Sequence, residues 1–214
     1  MTARPGLVGR GDQWLELERA LGRSAAGRFG CVLLVGDPGV GKSRLAAQFA
    51  AEHGGRRTVL TARAYHLGAT TAFGVWAEAL DGALRARPPE EVRRLCAGAE
   101  DELAALLRSV AALGDRAPRP DPQCPKLLAA LAVLLRELAA ERPVLLVLDD
   151  LHLADASSQE ALHYLAHHCA DQPVLVIGTA RPVELAEHAV ALRFRPGLNW
   201  PVRMAVRPRG AGYG

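Results

Sequence analysis

Apolar residues along this chain follow two rhythms. Unbroken short runs at Cys31–Val35 (CVLLV), Thr58–Ala62 (TVLTA), Val144–Leu148 (VLLVL) and Pro173–Ile177 (PVLVI) have the length and branched character of buried strands. Elsewhere the apolar positions recur at helical spacing, as with Trp14, Leu15, Leu17 and Leu21, or Phe73, Val75, Trp76, Ala79, Leu80 and Leu84. The pattern predicts a first helix beginning near Asp12, which is placed to cap it, and a second helix after Gly41 that ends near Gly54-Gly55. One or two helices follow between Pro89 and Leu113, and another spans Lys126–Glu141 up to the block at Pro143. A last helix covers Ser157–Cys169, capped by Asp155 or Ser157, with Leu162, Leu165 and Ala166 inward. Polar residues from Arg63 to Thr71 and the four prolines of Ala117–Pro125 mark loops. The fold this predicts is a three-layer α/β domain with a mostly parallel central sheet.

Composition adds little to that picture and removes several function classes. Half of the 214 residues are hydrophobic but only 5% are aromatic, so the core is built mainly from Leu, Val and Ala. A net charge of +3 is too mild to argue for nucleic acid. Cys31, Cys96, Cys124 and Cys169 show no paired spacing and read as reduced thiols, which places the protein in the cytoplasm. The start has no apolar signal core, and the longest apolar run, Leu127–Leu135, is far too short to span a bilayer.

The candidate chemistry sits at the end of the first strand. Gly36-Asp37-Pro38-Gly39-Val40-Gly41-Lys42-Ser43 fits G-x-x-x-x-G-K-S between a strand and a helix, the context of a phosphate-binding P-loop or Walker A element. Such a loop needs glycines so that backbone N–H groups converge on phosphate oxygens without side chains intervening. Lys42, one of only two lysines, would reach the β- and γ-phosphates of ATP, and the Ser43 hydroxyl would ligate Mg²⁺. Arg44, the first residue past the motif, belongs to the same nucleotide-contacting set.

About a hundred residues later the run Val144–Leu148 ends in Asp149-Asp150, a Walker B pattern. Carboxylates at the C-terminal end of a parallel strand lie where open α/β sheets bind ligands. Asp149 would hold the Mg²⁺ and Asp150 would act as general base toward the attacking water. Thr179 and Arg181 close the strand that begins at Pro173 and point to the same edge.

Other features carry less. His163 and His167 stand four apart on a predicted helix, but no third ligand accompanies them and they read as surface histidines. From Val190 onward the chain is rich in Pro and Gly and carries Arg193, Arg195, Arg203, Arg207 and Arg209 without an acid. These arginines lack helical spacing, and Pro201–Val206 reads as one last strand. The organisation is therefore a core over 1–189, with a leading helix over 7–22, Walker A over 36–43 and Walker B over 144–150, and a basic tail over 190–214.

Three stretches together resemble a known family. LVGRGDQWLEL is similar to its N-terminal "vGRe.El" segment, GDPGVGKSRLA to its Walker A, and VLLVLDDLHLAD with VLVIGTARP to its "DDlhwaD" and "T.R" elements. These belong to the AAA+-related STAND ATPases, in particular the N-terminal ATPase module of large LuxR-type (LAL or MalT-like) transcriptional regulators. The resemblance covers Leu7 to Glu187. It implies a cytoplasmic ATP-dependent switch in which Arg181 senses the γ-phosphate and Val8-Gly9-Arg10 lies against the adenine. Gly11, Gln13 and Leu153 depart from the pattern, where relatives usually carry acids and Trp. The helical lid, winged helix, repeats and helix-turn-helix of the full regulators do not fit in this length, so the chain reads as the ATPase core alone. DNA binding is not carried over to it; regulatory partner domains or self-association are.

The expected activity is slow hydrolysis of Mg·ATP in the service of regulation. Two rivals stand beside it: a nucleotide-binding or interaction module without turnover, and a small-molecule kinase using the same cradle. GTPases are disfavoured by the lack of N-K-x-D, and transporter ATPases by the lack of an L-S-G-G-Q signature.

Overall fold

The computed structural model describes residues 10–65, 72–114, 124–182 and 202–206. Five parallel strands form one sheet: β1 Gly30–Val35, β2 Thr58–Arg63, β3 Val144–Asp149, β4 Val174–Ala180 and β5 Val202–Ala205, in the order β2-β3-β4-β1-β5. Helices α1 Gly11–Ala25 and α2 Lys42–His53 cover one face. The other face carries α3 Gly74–Leu84, α4 Pro89–Cys96, α5 Glu100–Ala104, α6 Arg108–Ala111, α7 Cys124–Glu141 and α8 Ala156–His168. The three-layer parallel α/β architecture is as expected.

Strand side chains alternate between the two faces, and the central strands bury both sets. Leu33, Leu146, Leu148 and Val176 join the larger core, while Val32, Leu34, Leu145 and Ile177 pack under α1 and α2. This is why the central strands read as continuous apolar runs. Thr58–Arg63 instead alternates between buried and exposed positions, as suits an edge strand.

Several local expectations are corrected. Asp12 does not cap α1: that position falls to Arg10, with no side-chain cap, and Asp12 lies in the first turn. A cap is worth about 1 kcal/mol, whereas fully burying one large apolar side chain is worth about 1.5–3 kcal/mol. Packing of Trp14, Leu17 and Leu21 therefore decides where α1 sits. Trp14 meets Phe49 of α2 edge to face, with ring centroids 5.0 Å apart. The region expected to hold one or two helices holds three short ones, because Ala97 and Gly98 both turn left-handed and Leu107 is extended. Arg63 ends β2 rather than opening a loop, and β4 begins at Val174 rather than at Pro173.

No helix among the described residues is long and apolar enough to cross a membrane.

Candidate functional site

Parallel register brings the C-terminal ends of the strands to one edge. Val35 lies opposite Ala180, Leu148 opposite Gly178, and Arg63 opposite Asp149. Beyond Val35 the chain turns through Gly36–Gly41 into α2.

The three glycines of this turn act for different reasons. A Cβ on Gly36 would stand 2.2 Å from the Val206 carbonyl oxygen, so close approach of the chain after β5 excludes any side chain there. Gly39 (φ 79°) and Gly41 (φ 92°) are left-handed, and a Cβ on either would meet nothing within 4 Å. Backbone conformation, not crowding by protein atoms, calls for glycine at these two positions. Pro38 and Arg44 are exposed.

Lys42 is buried, and its ammonium donates to the carbonyl oxygens of Gly36 at 2.7 Å and Asp37 at 3.0 Å. Burial pushes its pKa below the ordinary lysine range, and the charge of Arg181 adds to that. Asp150, Asp149 and Asp37 oppose the shift. Arg181 stands immediately after β4, so its charge reaches the site from the strand next to β1.

The acids of β3 meet the loop directly. Asp149 Oδ1 accepts from Ser43 Oγ at 2.6 Å and from Thr179 Oγ1 at 2.6 Å. Thr179 is fully buried and its hydroxyl oxygen also accepts the Asp150 N–H at 2.8 Å. Asp150 is left-handed (φ 52°, ψ 41°). Its Oδ2 takes a 2.9 Å bond from Arg63 Nη2, while Arg63 Nε lies 3.8 Å from Asp149 Oδ2. Hydrogen bonding to Asp150 raises the pKa of Arg63.

Lys42, Ser43, Asp149, Asp150 and Arg181, named separately from the sequence, are thus brought to one edge. Arg63 was not foreseen as part of it. The available signal was the equal length of β2 and β3, which pairs the last residue of one with Asp149 of the other. Arg10 is buried at the start of α1 and donates through Nη2 to the Val40 carbonyl oxygen. Val8 and Gly9 lie outside the described residues.

The residues fit the groups that the sequence motif implies. A hydroxyl and a carboxylate at contact distance are the hard oxygen donors that Mg²⁺ takes. The first N–H groups of α2 have no partner within the helix and make up the positive end of its dipole, which suits phosphate oxygens.

A second junction lies just downstream of β3. Asp155 caps α8 by accepting from Ser158 N at 2.8 Å and Ser158 Oγ at 2.6 Å. The same carboxylate accepts the N–H groups of Phe73 at 3.0 Å and Gly74 at 3.2 Å, so it also closes the start of α3.

Comparison with known proteins bears on the family and the fold. The model of a family described as "AAA ATPase domain" matches residues 6–177. No curated protein matches the chain. Among solved structures, a chain of "Structure of Drosophila ORC bound to DNA" is similar at 19% identity with a TM-score of 0.55. The alignment covers 93% of this chain and 43% of that one, so this chain spans less than half its length. At such identity the likeness bears on the fold alone.

Proposed function

The chain belongs to the AAA ATPase domain family, and from that premise we propose that it binds Mg·ATP at the Gly36–Ser43 turn and hydrolyses it slowly as a regulatory switch. The observation that carries this reading is the 2.6 Å contact of Ser43 with Asp149 beside the buried Lys42. Lys42 would trade its two carbonyl partners for phosphate oxygens. Ser43 and Asp149 would hold the Mg²⁺, which neutralises phosphate charge when bound. Asp150 would take the proton of the attacking water, and Arg181 would report the γ-phosphate. Slow turnover follows from the state of the base, because the Asp150 carboxylate is engaged by Arg63. The finer identity, a STAND module of the LuxR-type regulators that acts with partner domains or further copies, rests on the sequence motifs quoted above.

Titration calorimetry with Mg·ATP tests the site. Lys42→Ala should weaken binding by at least about tenfold, as expected for a lost charge-assisted contact; equal affinity would refute the assignment. Single-turnover hydrolysis at high protein concentration separates a slow ATPase from a module without turnover. Asp150→Asn should abolish hydrolysis while binding persists, and retained hydrolysis would remove Asp150 from the role of base.

A further inference from the structure

Arg10 and Val40 are thirty residues apart in sequence, yet the buried Arg10 at the N-cap of α1 holds a backbone carbonyl in the middle of the Gly36–Ser43 turn through its guanidinium. Arginine is seldom this buried unless its donors are used. Val40 lies between Gly39 and Gly41, both left-handed, so no regular helix or strand ladder fixes the peptide planes here. An anchor from outside the loop can fix them.

A trans peptide points its C=O and its N–H in opposite directions. Holding the Val40 carbonyl against α1 therefore turns the Gly41 N–H away from α1. Lys42 and Ser43 follow at once and begin α2, so that N–H is adjacent to the first unpaired donors of the helix. The anchor is itself well seated. Gln13 Nε2 donates to the Ala205 carbonyl oxygen at 3.3 Å, and Trp14 packs on Phe49 of α2, so α1 is tied both to β5 and to the helix that the turn feeds.

We propose that Arg10 is a positioning residue for the phosphate cradle: by fixing the Val40–Gly41 peptide it presents the Gly41 N–H to the triphosphate. The inference rests on the nucleotide-binding reading of the Gly36–Ser43 turn. It gives Arg10 a different task from the adenine contact that the family resemblance implied. A residue that shapes the cradle must affect every ligand bearing the polyphosphate, whereas a residue against adenine affects only ligands bearing the base.

Inorganic tripolyphosphate separates the two. Affinities for Mg·ATP and Mg·tripolyphosphate are measured by calorimetry on the full chain, on Arg10→Gln, on Arg10→Lys and on Lys42→Ala. Arg10→Gln should weaken both ligands by the same factor, about tenfold for loss of a charged hydrogen bond, and Arg10→Lys should restore part of it. Thermal melting without ligand checks that each variant folds. If Arg10→Gln does not fold, the ratio of the two affinities in Arg10→Lys carries the comparison.

Weakened ATP with unchanged tripolyphosphate would overturn the proposal in favour of a base contact, and no change in either would overturn it outright. If the unaltered chain and Arg10→Gln bind both ligands alike while Lys42→Ala binds neither, only the role of Arg10 falls. Failure of the unaltered chain to bind tripolyphosphate refutes a phosphate cradle of this kind. Failure to bind ATP as well brings down the nucleotide reading with it.

Discussion

Arg63 and Asp150, separated by 87 positions in sequence, meet at 2.9 Å where the ends of β2 and β3 lie side by side. The contact occupies Oδ2, one of the two oxygens of the carboxylate proposed as general base. If Asp150 is the base proposed above, a water approaching Oδ2 competes with the Arg63 guanidinium for that oxygen.

Arg63→Gln should therefore raise the rate of single-turnover ATP hydrolysis while leaving Mg·ATP affinity near that of the unaltered chain. Chemical quench at saturating nucleotide, paired with calorimetry, reads the two quantities separately. A slower rate in Arg63→Gln would show that the guanidinium assists the reaction instead of withholding the base.

Thr179 performs a quieter task between the two acids, donating to Asp149 and accepting from the Asp150 backbone. Thr179→Val keeps the shape but leaves the Asp150 N–H without that acceptor, at a cost of about 1–3 kcal/mol. Urea unfolding should show that loss. The rate of hydrolysis should fall more than ATP affinity, since the acids lose their fixed relation while Lys42 and the turn are untouched. Affinity falling as much as rate would mean that Thr179 supports the cradle as a whole.

Much of this site was legible because its parts are local in sequence. Gly36–Ser43 is one continuous stretch, and Asp149-Asp150 ends a run so apolar that it had to be an inner strand. Arg63 escaped notice because its role comes from register between strands that are distant in sequence, and an arginine after an edge strand looks like a loop residue. Arg10 was singled out, but its bond to Val40 depends on how α1 packs, which no spacing rule records. The short helices after Pro88 were merged in the sequence reading because Ala97, a non-glycine residue, adopts a left-handed turn that composition does not announce.

Lys42 gives the site a pH dependence whose sign follows from its burial. The folded chain releases the Lys42 proton at lower pH than the unfolded chain does. Between the lowered pKa and the ordinary one the unfolded state binds more protons, so stability of the free protein rises with pH across that alkaline window. A bound triphosphate brings negative charge to the same ammonium and pulls its pKa back up. Mg·ATP binding within the window should then take up protons, and affinity should fall as pH rises through it. Calorimetry in buffers of different ionisation enthalpy reads the uptake directly. Uptake of the same size in Lys42→Met, at concentrations where that variant still binds, would assign it to another group.

Asp155 joins two helices with one carboxylate, and the energetics of both depend on it. On α8 it is an ordinary N-cap, worth about 0.5–2 kcal/mol. On α3 it accepts from Phe73 and Gly74, and Phe73 holds φ 62°, a conformation that costs a bulky residue about 1–2 kcal/mol. Trp76 adds a 2.9 Å bond from its indole N–H to the Ser158 carbonyl, so the two helix starts are stapled at two points. Asp155→Ala should remove the cap and free Phe73 to relax, lowering stability by about 2–4 kcal/mol when the cap and the lost partners of two N–H groups are combined. Asp155→Asn keeps one carbonyl acceptor and should recover part of the loss. Four residues separate Asp155 from Asp150, among them the short turn Leu151–Leu153, so the staple also fixes where the chain leaves β3. Hydrogen exchange should therefore show faster exchange at the first turn of α3 and of α8 in Asp155→Ala, with β1 and β4 protected as before. Loss of protection spread evenly over the sheet would reduce Asp155 to a contributor to global stability, with no particular hold on the segment that carries the acids.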